Sequence, residues 1–476
     1  MTVSVQKATS RAAAERAEPN LLKWAPAVAF GLLLLSLSRH AAAGISDPDT
    51  PWHVLAGRYL WDTWQFSGPD PFSRFTTGPW VLNQWLPELI FAAADHVGGL
   101  AAVAWLAQVG RLTVCLLLYA ACRRQAGGLP AALVAGVAVL GTADSLSPRP
   151  QLVGFALLAV TLDAWLRTTT DVRPRWWLMA VSYVWSCSHG TWVVGITVGI
   201  AAVAGLALDR RIDLRAAVRL AAIPAGSALL AVLTPVGPAL LGSFRAVRAV
   251  SPYIQEWRLP TTPTPSVIAT ATLLLLVPLG WLLARRTFSW TTLALWLVAL
   301  AWGVSSMRTV AVGAIVIAPL AASALNAMIG RPWMAASRGE RGFLGLAALL
   351  AVALSAALAA GGPRNQTGVP HAFDRTLAAM PRGTVVYNSD LLGGWLMYRY
   401  PGIAQTADTR VELYGPSSAR DYLDVMAARR GWEQGLAHFA PAAAIVEQHL
   451  PLVDALRTNG WQERGRDAGY VLLIAP

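Results

Sequence analysis

The feature that most constrains this chain is a rhythm of apolar runs near 20 residues long, broken by short arginine clusters. A run of that length lets an α-helix cross about 30 Å of hydrocarbon while satisfying its own backbone groups. Runs are read at 22–42, 99–121, 129–146, 149–166, 176–188, 190–208, 216–234, 266–284, 289–306, 309–329 and 343–361, or about eleven spans. Composition agrees. Of the 476 residues 55% are hydrophobic and 13% charged, against about a quarter charged in soluble domains. A polytopic α-helical membrane protein is expected, with the lipid bilayer as its first partner.

The net charge of +12 invites a nucleic-acid reading, but its distribution excludes one. Residues 364–476 hold 11 Arg against 11 Asp and Glu. The excess lies in short loops between spans, as a positive-inside bias requires. With the N-terminus inside, the clusters Arg123/Arg124, Arg167/Arg173/Arg175, Arg210/Arg211/Arg215/Arg219, Arg285/Arg286 and Arg331/Arg338/Arg341 all fall on the inner side. Lys7, Arg11, Arg16 and Lys23 precede the first span, and Arg39-His40 marks it as an uncleaved anchor. The expected plan is a cytosolic tail over 1–21, a transmembrane module over 22–363 with an outer loop 44–98, and an extracytoplasmic α/β domain over 364–476, in the cell membrane. Cys115, Cys122 and Cys187 all lie in apolar runs, so no disulfide framework or zinc spacing is expected.

The α/β domain is read from GTVVYNSD and PAAAIVEQ, short apolar runs ending in polar residues, and from YVLLIA as a last strand. LPLVDALRTNGW reads as a helix stopped by Asn-Gly. QWLPELIFAAADHV, over 84–97, is too short to span and reads as an interfacial helix carrying Glu88, Asp95 and His96. The fifth and sixth runs meet at Ser186-Cys187-Ser188-His189-Gly190 as a hairpin tip.

The unusual polar residues gather on the outer side. Asp47-Pro48-Asp49-Thr50-Pro51-Trp52-His53 sets two acids one residue apart, and its prolines hold them in an extended turn. A helix starting near Thr50, with Thr50 as its N-cap and Pro51 at its first position, puts Asp49 and His53 on one face. An N-cap and a turn former is the plainer alternative. Arg149 at an outer end is a candidate phosphate ligand, or a side chain snorkelling to a lipid headgroup. His189 before Gly190 is a base, a ligand or a satisfied interfacial histidine. Arg258 and Arg308 add positive charge and Glu256 an acid, so a basic ring around an acidic centre suits a lipid-phosphate substrate. Asn388-Ser389-Asp390, Gly393-Gly394-Trp395 and Asp408-Thr409-Arg410 read as turn and helix-start residues, with acceptor binding left open. No P-loop or G-x-S-x-G stretch is present.

Asp47-Pro48-Asp49 through Trp52-His53, Asp70-Pro71-Phe72-Ser73, Gln84-Trp85-Leu86, Arg149-Pro150-Gln151, His189-Gly190, Glu256-Trp257, Tyr387-Asn388, Gly393-Gly394-Trp395 and Asp408-Thr409-Arg410 together resemble the GT-C superfamily of integral-membrane glycosyltransferases. Within it they are most similar to bacterial relatives of the protein O-mannosyltransferase and lipid A sugar-transferase group. The resemblance implies a GT-C-like catalytic module taking sugar from a polyprenyl-phosphate donor, with inversion, to a lipid- or glycan-type acceptor. Asp49 or Asp47 would be the catalytic base and Arg149, Arg258 and Arg308 the donor-phosphate ligands. His53, His189, Trp52, Glu256 and Glu88 would hold or orient the acceptor. No cofactor is implied outright; a divalent cation would rest on Asp47, Asp49 and His53. Pro48 between the acids departs from the family's adjacent pair. A non-enzymatic transporter or envelope-glycan assembly protein is the contrasting reading, and a ligase or polymerase using a lipid-diphosphate glycan donor is the third.

Overall fold

The computed structural model describes residues 20–284, 288–330 and 334–476. The cytosolic tail expected over 1–21 falls almost wholly outside these residues, as do Lys7, Arg11, Arg16, Arg285, Arg286 and Arg331. Among the described residues eight helices are long and apolar enough to cross a membrane, from Trp24–Ala43 to Arg338–Ala360. Trp192–Leu208 and Trp290–Ser305 are apolar but only 17 and 16 residues long. Trp177–Ser186, the first arm of the hairpin, has 10. The about eleven spans read from the sequence are thus eight full-length helices and three short ones. The chain is a multi-pass membrane protein.

The helix Val310–Ile329 is the centre of the bundle and is buried along nearly its whole length. It packs on Pro265–Leu283, Trp290–Ser305, Gly128–Thr142 and Trp85–Gln125. Small residues permit a close crossing with Trp290–Ser305: a Cβ on Gly313 would stand 2.7 Å from the Gly303 Cα. In hydrocarbon, where apolar side chains gain nothing by leaving lipid, such close approach drives helix association.

The segment expected as an interfacial helix over 84–97 is helical from Trp85 and leads into the second span, which continues to Gln125. The helix breaks at Gly98–Gly99, where Gly99 has φ +62°. Before it comes the helix Thr50–Thr63, and then a small hairpin of β1 (Ser67–Gly68) with β2 (Trp80–Val81).

The C-terminal α/β region holds a five-stranded sheet in the order β4 (Ala404–Gln405), β3 (Val385–Asn388), β5 (Ala443–Glu447), β7 (Tyr470–Ile474), β6 (Gln462–Asp467). β3 pairs in parallel with β4 and β5, while β7 runs antiparallel to β5 and β6. β3 is buried throughout and β5 for four of its five residues, as central strands covered on both faces are. Val386, Trp395 and Leu472 lie in the core on one face, and Tyr387, Leu456 and Leu473 on the other. This region sits on the end of the bundle that carries Gly44–Thr63.

Candidate functional site

The site begins with how Gly44–Thr63 folds. The helix starts at Thr50 with Pro51 in its first turn, as the sequence predicts, but Thr50 is not the capping residue. Asp49 stands at the N-cap and its side chain makes no cap bond. Asp47 does that work instead. Its Oδ1 accepts from the Asp49 N–H at 2.9 Å and the Thr50 N–H at 3.2 Å. The Thr50 hydroxyl donates to the Pro148 carbonyl at 2.8 Å, tying the loop to the turn that carries Arg149.

Arg149 lies between the two acids. Its Nε donates to Asp47 Oδ2 at 2.7 Å, and its Nη1 lies 2.9 Å from Asp49 Oδ2. Nη1 also reaches Glu256 Oε1 at 3.3 Å, and Glu256 Oε2 accepts from Arg308 Nη1 at 3.1 Å. The result is one ladder of alternating charge, Asp47/Asp49–Arg149–Glu256–Arg308. Asp47 and Asp49 are buried, whereas the Glu256 side chain is 47% exposed. Arg258 stands apart. Its guanidinium is exposed, and its carbonyl accepts from the Met307 N–H at 2.9 Å.

The two acids are not equivalent. Burial pushes Asp47 above the usual carboxylate range, and the Asp49 charge adds to this against Arg149. Burial acts on Asp49 too, but there the Arg149 guanidinium, with His53 and Thr409 beside it, wins and the carboxyl is held low. Burial of Arg149 opposes its charge, yet the two aspartates hold its proton more firmly than in water. Both oxygens of Asp47 are engaged. Asp49 Oδ1 is buried without a hydrogen-bond partner.

His53 and Glu88 form a second, buried pair: His53 Nδ1 lies 2.8 Å from Glu88 Oε1. Their contact engages Nδ1 and leaves Nε2 as the other ring atom. Trp52 stacks on His53 with centroids 3.6 Å apart, and its Nε1–H donates to Thr409 at 3.1 Å. Trp52 is therefore fastened to the C-terminal region. His189 occupies the hairpin tip, where its Nδ1 meets the Thr191 hydroxyl at 2.9 Å. Burial, with Arg308, His53 and Arg149 nearby, keeps its ring neutral.

The structure thus brings Asp47, Asp49, His53, Trp52, Glu88, Arg149, Glu256, Arg308 and His189 to one end of the bundle and leaves Arg258 at its edge. Among the described residues no three His, Cys, Asp or Glu side chains form a metal-binding group, so Asp47, Asp49 and His53 are not one. The reason is geometric. Arg149 supplies the positive charge between the acids, and His53 spends Nδ1 on Glu88.

Several residues that sequence reading treated as turn formers close this site. Arg410 donates to Asp70 at 2.9 and 3.1 Å and to Asp408 at 2.9 and 2.8 Å, with all three side chains at most 2% exposed. Gly394 packs against the acidic loop: a Cβ there would stand 2.4 Å from the Pro48 carbonyl oxygen. Tyr398 donates to Asp95 at 2.7 Å, and Arg58 pairs with the same carboxylate. The sequence signal for these contacts was the Gly-Gly and Asp-x-Arg patterns. Which distant loop they would meet is not encoded in their spacing.

No protein-family model and no curated protein matches the sequence. Solved structures do match. The archaeal oligosaccharyltransferase AglB from Archaeoglobus fulgidus, solved with an inhibitory peptide and a dolichol-phosphate, aligns with 88% of this chain and 69% of its own at TM-score 0.55 and 14% identity. ArnT from Cupriavidus metallidurans in the apo state aligns over 94% of this chain and 97% of its own at TM-score 0.53 and 15% identity. The arabinofuranosyltransferase AftD from Mycobacteria has TM-score 0.53 and 14% identity over 94% of this chain, which spans only 40% of AftD. At such identities the likeness is one of fold.

Proposed function

We infer, from a chain that has the fold of the GT-C membrane glycosyltransferases, that it transfers a sugar from a polyprenyl-phosphate donor to an acceptor hydroxyl at the outer membrane face. The division into a cytosolic tail 1–21, a membrane module 22–363 and an extracytoplasmic α/β domain 364–476 belongs to this reading, as do a cytoplasmic N-terminus and a polyprenyl donor. Support comes from a lipid-phosphate bound by a protein of the same fold and from the charge ladder at one end of the bundle.

The observation that carries the reading is the unpartnered, buried Oδ1 of Asp49 beside Arg149. A polar atom in that position lacks a hydrogen bond worth about 1–3 kcal/mol, and an acceptor hydroxyl supplies one. The hydroxyl proton passes to Asp49 Oδ1 as its oxygen attacks the anomeric carbon. The bond from that carbon to the phosphate oxygen breaks, and the electron pair leaves on the lipid phosphate. A single displacement of this kind inverts the anomeric centre. Arg149 and Arg308 face the departing phosphate, where negative charge develops. His53, fixed by Glu88, and neutral His189 orient the acceptor from either side, and a divalent cation is not needed to account for the charge.

Asp49→Asn is expected to lower transfer from a polyprenyl-phosphate sugar by 10³-fold or more, on the order of the loss of a general base with its electrostatic partner. Insertion and thermal unfolding of the variant should match wild type. Near-wild-type turnover of a well-folded Asp49→Asn protein would remove Asp49 from the reaction.

A further inference from the structure

The helix Ala239–Val250 is a layer between the membrane bundle and the α/β region. It follows the span Leu214–Val232 by six residues. Its Phe244 ring lies over Gly190 at the hairpin tip, 6.3 Å from the Trp192 ring. The α/β region's helix Val411–Met426 packs on it from the other side. Leu240 and Val250 face inward and are buried.

Its outward stripe is unusual. At about 100° per residue, Phe244, Arg248, Leu241 and Arg245 fall within roughly 100° of one another. All four are exposed, Leu241 at 45% and Phe244 at 37%. No acidic residue stands between Asp213 and Glu256. Among the described residues neither guanidinium has a carboxylate partner. At the far end of the bundle arginines of both kinds occur, Arg215 and Arg219 also standing without a carboxylate partner among the described residues. There Arg124 and Arg167 share Asp163 at 2.5 and 2.9 Å, Arg175 holds Asp171 at 2.8 Å, and Arg123 holds Glu340 at 2.8 Å. Two free arginines interleaved with two exposed apolar side chains, at the level where a bundle meets a polar region, match a phospholipid in both its parts.

We propose that Ala239–Val250 is a membrane-surface anchor whose Arg245 and Arg248 hold the phosphate of an anionic bilayer lipid while Leu241 and Phe244 enter the acyl boundary. The lipid supplies the counter-charge that the chain lacks over this stretch. Through its contact with Val411–Met426 the helix also couples the α/β region to the membrane plane. None of this depends on sugar transfer.

The test is hydrogen–deuterium exchange of residues 239–250 in the full-length protein, in nanodiscs of phosphatidylcholine alone and with about 30% phosphatidylglycerol. Exchange is expected to slow about fivefold or more with phosphatidylglycerol, in a salt-sensitive way. Arg245→Gln/Arg248→Gln should abolish the difference without altering exchange in Val310–Ile329. Equal exchange in both nanodiscs, or an unchanged lipid effect in the double variant, would overturn the proposal. So would protection by traces of a polyprenyl phosphate but not by phosphatidylglycerol, which would make the stripe a donor site.

Discussion

At the scale of residues, one guanidinium separates two aspartates that lie side by side. Asp47 gives both oxygens to backbone and Arg149 and acts as a structural cap, while Asp49 keeps an oxygen open. Glu256 is the exposed member of the ladder and, on the proposed function, the one a donor phosphate would displace. Glu256→Gln removes a competitor for Arg149 and Arg308. It should lower KM for the phosphate donor several-fold with little change in kcat, as steady-state kinetics would reveal. A different carboxyl reports on stability. Burial raises Asp390 to about 6 against an ordinary 3.8. Its folded form therefore binds a proton that the unfolded chain releases between those values, so stability falls as pH rises from about 4 to about 6. The loss is up to about 3 kcal/mol, and Asp390→Asn should flatten that part of a plot of unfolding temperature against pH. Most ladder residues were legible in the sequence, because each is a charge at the end of an apolar run. What they would pair with was not: nothing in the spacing of Arg149 says that Asp47 and Asp49 hold it between them.

At the scale of elements, the acidic loop is held by a helix crossing with no slack. A Cβ on Gly57 would lie 1.9 Å from the Glu88 carbonyl oxygen, so Thr50–Thr63 and Trp85–Gln125 meet backbone to backbone. Gly57→Ala must part these helices and disturb the His53–Glu88 pair together. A destabilisation of about 3 kcal/mol is expected, visible as a lower unfolding temperature and a larger fractional loss of activity. Helix starts such as Thr50-Pro51 and breaks such as Gly98-Gly99 follow from local chemistry and could be read directly. The backbone-to-backbone approach at Gly57 could not, because nothing local marks which helix it meets. The short edge strands β4 and β6 escaped notice for a related reason. β4 has two residues, and β6, Gln462–Asp467, is polar on both faces.

At the scale of the whole molecule, the bundle and the α/β region are joined through buried charge. Arg410 neutralises Asp70 from the first large loop and Asp408 from its own region. Removing one partner of a buried pair costs about 3–5 kcal/mol because the other charge stays buried. Arg410→Gln should therefore open the join: limited proteolysis should cut near Asp70–Pro79 faster than in wild type, while the spans stay protected. The apolar runs were enough to read a many-span protein, and the short runs ending in polar residues a distinct C-terminal region. Contacts such as Arg410–Asp70, 340 residues apart, leave no periodic trace in the chain.

The bond between Trp52 and Thr409 links residues 357 positions apart. A ribosome adding about 5–20 residues per second needs on the order of 20–70 s to make that stretch. During that interval the acidic loop has already been made, but the segment that covers it has not. A chain released before Arg410 is translated thus lacks the partner of Asp70 and the segment that holds Trp52, so the acidic loop stands uncovered until synthesis is nearly complete.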